Sequence, residues 1–163
     1  MIRRKVFVNP LVIAIALFST SGWTADTPIG ELITRGGVTV TGNGLSVEIT
    51  DERYAYFPGD VVRTNEDSVA AIVMNDDVRV RFSEMSAGRV LLLDGVYNID
   101  RIDGQITFDA DSGVPYQILY NGEPVDQARL FSDGEPIVIA ASYTPAQLSD
   151  AQIQALEASG SFT

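Results

Sequence analysis

The chain has no histidine and no cysteine, and Lys5 is its only lysine. Each absence removes a class of chemistry. Without His there is no serine–histidine triad, no imidazole base and no imidazole metal site. Without Cys there is no thiol nucleophile, no cysteine zinc site and no disulfide, so the fold rests on its own core. Without Lys beyond position 5 there is no Schiff-base lysine and no phosphate-loop lysine in the body of the chain. Carboxylates, arginines, tyrosines and hydroxyls remain. A glycosidase-type carboxylate pair stays compatible with that set. Among 22 acids, however, some pair falls at a fitting separation by chance, so the count marks none of them.

The N-terminus carries its own pattern. Met1-Ile-Arg-Arg-Lys is basic, Leu11–Phe18 ("LVIAIALF") is apolar, and "STSGWTA" ending at Ala25 is small and polar. The apolar run is shorter than the roughly 20 residues a bilayer span needs. The three parts together read as an export signal over residues 1–25. An exported chain, periplasmic or secreted, is therefore expected, with no stable membrane span after signal cleavage. The whole chain has a net charge of −11; without residues 1–25, eight arginines face 22 acids, a net −14. Such a charge repels phosphate backbones and anionic headgroups, which argues against nucleic-acid partners.

From Leu32 onward the dominant period is two. Residues 26–35 read as a leader, with Pro28 and Gly30 as breakers. "VTV" (Val38–Val40), Gly42-Asn43-Gly44 and "LSVEI" predict a hairpin with Leu45, Val47 and Ile49 on one face. In "RYAYF", Tyr54 and Tyr56 share a face, and Pro58-Gly59 ends the run. Val69–Met74 is continuously apolar, the pattern of a strand buried on both faces. "VRVRF" alternates, with Val78, Val80 and Phe82 inward and Arg79 and Arg81 outward. Further strands are predicted at Arg89–Leu93, Val96–Arg101, Gln105–Asp109, Tyr116–Tyr120, Ala128–Phe131 and Ile137–Ser142, separated by Asp-Gly, Ser-Gly and Asn-Gly turns. The expected fold is all-β: a sandwich, roll or barrel-like stack of short antiparallel strands over 36–143. A short C-terminal helix is expected over 144–160, with Thr144 as N-cap, Pro145 at its first position and Gly160 as its stop.

Four residues stand out as partner-binding candidates. Tyr54 and Tyr56, with Phe57, could offer a stacking platform for sugar rings; cross-strand core packing is the plainer explanation. Arg79 and Arg81 could take carboxylates bidentately; an outer strand face laced with neighbouring acids is the plainer explanation. Asp109 and Asp111 in "DADSG" have the Asp-x-Asp spacing of a calcium loop. A twelve-residue loop from Asp109 would want Glu where Tyr120 stands, so a hairpin turn is the preferred reading and calcium the secondary one. No other metal or cofactor is expected.

The stretch around Tyr56–Phe82 resembles the FecR-type domain. The matching parts are Gly37-Val38-Thr39-Val40, Gly59-Asp60, Arg63-Thr64, Val69–Met74, Asp76-Asp77, Val78–Phe82 and Ser86, so the similarity covers about residues 36–93. Asn65 stands where the family has a turn glycine, which Asn tolerates because it also visits positive φ; Asp77 replaces a second one. The resemblance implies an all-β, exported domain. In the regulator that names the family, this domain relays an outer-membrane signal to an inner-membrane anti-sigma module. No cytoplasmic module is seen here, so a stand-alone secreted domain is expected instead. The resulting expectation is a non-catalytic envelope domain that binds a protein or glycan partner, possible roles being signalling or assembly. The rival is a secreted carboxylate-dependent polysaccharide hydrolase.

Overall fold

A computed structural model describes residues 27–75, 78–126 and 129–142. The proposed signal (1–25) and the proposed C-terminal helix (144–160) lie outside the described residues. The described chain is all strand and turn, with no helix. In chain order the strands are β1 (Gly30–Arg35), β2 (Gly37–Gly42), β3 (Leu45–Thr50), β4 (Arg53–Tyr56), β5 (Val61–Thr64), β6 (Val69–Asn75) and β7 (Val78–Phe82). They continue with β8 (Ala87–Leu93), β9 (Val96–Asp103), β10 (Ile106–Ala110), β11 (Pro115–Tyr120), β12 (Glu123–Pro124), β13 (Leu130–Phe131) and β14 (Ile137–Ile139).

The strands form two sheets that face each other. One is six-stranded in the order β14-β10-β7-β6-β1-β4; the other is eight-stranded in the order β12-β11-β9-β8-β5-β2-β3, with β13 also paired to β11. Among the described residues both sheets keep free edges, so the architecture is a sandwich and not a closed barrel. Pairing is antiparallel except between β9 and β11, which run parallel because β10, between them in sequence, lies in the other sheet.

The turn chemistry explains the short connections. Asn43-Gly44, Asp94-Gly95 and Asn121-Gly122 each place two successive residues at positive φ. That is the backbone of the two-residue hairpin turn whose twist suits paired strands. Between β1 and β2 the chain changes sheets across Gly36 alone. Its φ is +76°, and a Cβ there would sit 2.9 Å from the Asp67 carbonyl oxygen, so only glycine fits.

Alternation sets the core. Val78, Val80 and Phe82 are buried and Arg79 and Arg81 exposed, as the period of two requires. Leu32, Val38, Val62, Ile72, Val90, Ile99, Ile106 and Phe108 from both sheets meet them in the interior.

Three expectations are corrected. Residues 30–35 are not leader but β1, an interior strand between β4 and β6 with Leu32 fully buried. The turn that the resemblance sets at Asn65 follows β5, which ends at Thr64, and has its positive φ at Asp67 and not at Asn65. The apolar strand β6 is buried on one face only: Ala70 and Ile72 point inward, while Val69 keeps 40% of its surface exposed.

Candidate functional site

The outward face of the six-stranded sheet is built by register. One cross-strand row runs Val138, Thr107, Arg81, Ala71, Ile33, Arg53; the next runs Asp109, Arg79, Val73, Glu31, Ala55. Arg35 stands opposite Val69 beside the first row. Four arginines and two acids therefore share one face of a chain whose net charge is −11. Small residues at the centre leave a shallow cleft of about 410 Å³, with Arg35 and Arg81 on opposite sides, Ile33, Val69 and Ala71 along it, and Ser83 at its rim.

The acids occupy part of this face. Arg81 meets Asp109 at 2.6 Å and Arg53 meets Glu31 at 2.9 Å. Both pairs are solvent-exposed, so each contributes at most about 1 kcal/mol and exchanges readily for a partner's carboxylate. Arg35 and Arg79 make no ion pair with a described residue.

The tyrosine platform separates into two fates. Tyr56 is fully buried, so the structure removes it from the partner-binding candidates. Its hydroxyl donates to the Asp60 carbonyl at 2.8 Å and accepts the Val90 N–H at 2.8 Å. Burial pushes that hydroxyl well above the usual tyrosine range. Tyr54, two residues back on the same face, lies where the sheets part and remains 39% exposed. There the edge strands β3 and β4 leave a wedge of about 190 Å³ lined by Val40, Leu45, Val47, Tyr54, Phe57 and Asp60. The alternation of Leu45, Val47 and Ile49 is right about direction, yet only Ile49 is buried. Leu45 is 72% exposed and Val47 47%.

The remaining motif residues serve the corners. Thr64 Oγ1 accepts the Ser86 N–H at 2.9 Å and donates to the Ser83 carbonyl at 2.6 Å. Ser86 Oγ accepts the Gln105 N–H at 2.9 Å, and Ser68 Oγ accepts the Asn65 N–H at 2.6 Å. These hydroxyls tie together the turns 65–68, 83–86 and 104–105, which explains Thr64 and Ser86 without invoking chemistry. Asp100, fully buried, accepts from Arg89 Nε and from the Gly122 N–H, both at 2.9 Å, and so anchors the β11–β12 turn.

At the calcium candidates, Asp109 points outward to Arg81 and Asp111 sits exposed in the following turn. Among the described residues no group of three acids gathers at either. Sequence reasoning missed Arg35 and Arg53 as companions of Arg79 and Arg81, because only strand register brings them onto one face.

No family model, no curated protein and no solved structure matches the chain.

Proposed function

We propose that the chain is a non-catalytic, exported envelope domain that recognises a carboxylate-bearing protein or glycan partner on the outward face of its six-stranded sheet. One observation carries this reading: Arg35, Arg53, Arg79 and Arg81 share that face, with Arg35 and Arg81 lining its cleft, although the chain as a whole is strongly acidic. Guanidinium groups pair with carboxylates in a two-bond fork, and an apolar floor beside them favours a ligand with an apolar body. The export signal and the FecR-type resemblance support an envelope setting.

The test uses polyglutamate and polygalacturonate as carboxylate probes, one peptide and one glycan. The chain should bind at least one of them at low salt and release it as salt rises. Arg79→Glu with Arg81→Glu should weaken binding about tenfold or more. Arg63→Glu, on the other sheet, should leave it unchanged. Equal binding by all three proteins contradicts the proposal, and so does polysaccharide turnover that vanishes when a carboxylate is replaced.

A further inference from the structure

A second surface lies where the sandwich is open. β3 ends the eight-stranded sheet, and no described strand pairs with its outer edge. It is six residues long and carries one charge, Glu48. Natural edge strands are commonly shortened, bulged or given an inward charge, because an open edge is a template for another strand. β3 has none of these devices. Beside its inward face lies the wedge between the two sheets, into which Leu45 and Val47 project with Tyr54 opposite.

The wedge is built to hold its shape. Phe57 and Asp60, which line it, belong to one tight turn, in which the Asp60 N–H bonds the Phe57 carbonyl at 3.2 Å. That turn is pinned by the Tyr56 hydroxyl on the Asp60 carbonyl and by the Gly59 N–H on the Val90 carbonyl at 2.9 Å. On the other side, Asn43-Gly44 fixes the β2–β3 hairpin. A ligand would meet a prepared surface and spend little on ordering it.

We propose that β3 accepts an extended strand of another polypeptide, which lengthens the eight-stranded sheet and seals the wedge. Strand addition supplies affinity through main-chain hydrogen bonds and specificity through alternate side chains. Residues of the incoming strand that face inward would rest on Leu45, Val47 and Tyr54 and must be apolar. Its outward residues would lie beside Glu48 on a chain of net charge −11, which favours Lys or Arg there. The same charge disfavours a second copy of this chain, which carries a net −11 itself.

The probe is a synthetic hexapeptide of alternating Val and Lys, matched to the length of β3 and titrated onto the full chain. Three controls accompany it: a Val-block/Lys-block peptide of the same composition, a version N-methylated on alternate amides, and the full chain carrying Val47→Lys or Leu45→Lys. Both substitutions fall on exposed side chains, and an unchanged melting temperature confirms that the variants fold. The alternating peptide should bind about tenfold tighter than either control peptide and about tenfold weaker to the Lys variants. Amide exchange should slow across residues 45–50. Arg79→Glu with Arg81→Glu should leave peptide binding intact, which separates this edge from the arginine face. No binding, equal binding by the block or N-methylated peptide, or indifference to Val47→Lys overturns the proposal. Self-association of the unmodified chain, abolished by Val47→Lys, overturns it in favour of a second copy.

Discussion

The two ends of the sandwich are made by opposite means. At the corner end, Thr64 and Ser86 are buried hydroxyls engaged by backbone groups of neighbouring turns, and the buried Ser68 hydroxyl closes its own turn on Asn65. Among the described residues no buried side-chain nitrogen or oxygen lacks a partner. At the mouth, the inward-facing residues Leu45, Val47 and Tyr54 run past the cover of the opposing sheet and stay in water. The contrast teaches that facing inward and being buried are separate properties. A strand's period sets the first; the length of what lies across from it sets the second.

Substitutions sharpen that contrast. The largest effect is expected at the seam between the two regions. Tyr56→Phe strips an acceptor from the Val90 N–H and a donor from the Asp60 carbonyl, and should cost about 2–3 kcal/mol in urea unfolding. A loss below about 0.5 kcal/mol would mean that water replaces the hydroxyl. Next, Ser86→Ala at the corner leaves the Gln105 N–H without its acceptor and should cost about 1–2 kcal/mol by the same measurement. At the mouth, Leu45→Ser should change stability by no more than about 0.5 kcal/mol, because its side chain is already mostly solvated. If Leu45→Ser cost as much as Ser86→Ala, the mouth would be core and the contrast would fail.

A pH series offers the smallest and most specific effect. The Tyr56 hydroxyl titrates higher in the folded chain than when unfolded, because burial disfavours its anion. Its stabilising share is therefore complete below the unfolded value of about 10 and is lost as pH rises above it. Stability measured from pH 9 upward should fall more steeply for the unmodified chain than for Tyr56→Phe. Parallel curves would place the alkaline sensitivity elsewhere.

Much of the fold was legible because side-chain period and turn chemistry are local. "VRVRF" announced β7, and Asn43-Gly44 and Asp94-Gly95 announced their hairpins with the positive φ values that such turns need. What escaped depended on distant strands. In the sequence around β1, Pro28 and Gly30 outweigh a short alternation; only its pairing with β4 and β6 makes it interior. β6 read as doubly buried because its outward residues are also apolar, whereas they floor an open cleft. The candidate site divided in the same way. Arg79 and Arg81 were visible as outward residues of one strand, but Arg35 and Arg53 join them only through register. Tyr56 looked like a partner of Tyr54 because both share a face, and a hydroxyl bond to Val90, 34 residues away, decided otherwise.

The central claim is that the arginine-bearing face receives an acidic partner. It is tested most directly by amide hydrogen exchange on the chain with saturating carboxylate probe, polyglutamate or polygalacturonate, whichever binds. The account predicts slowed exchange concentrated in β1, β6 and β7, absent in the Arg79→Glu, Arg81→Glu variant. Protection confined to the eight-stranded sheet, or protection that survives the double substitution, would contradict it.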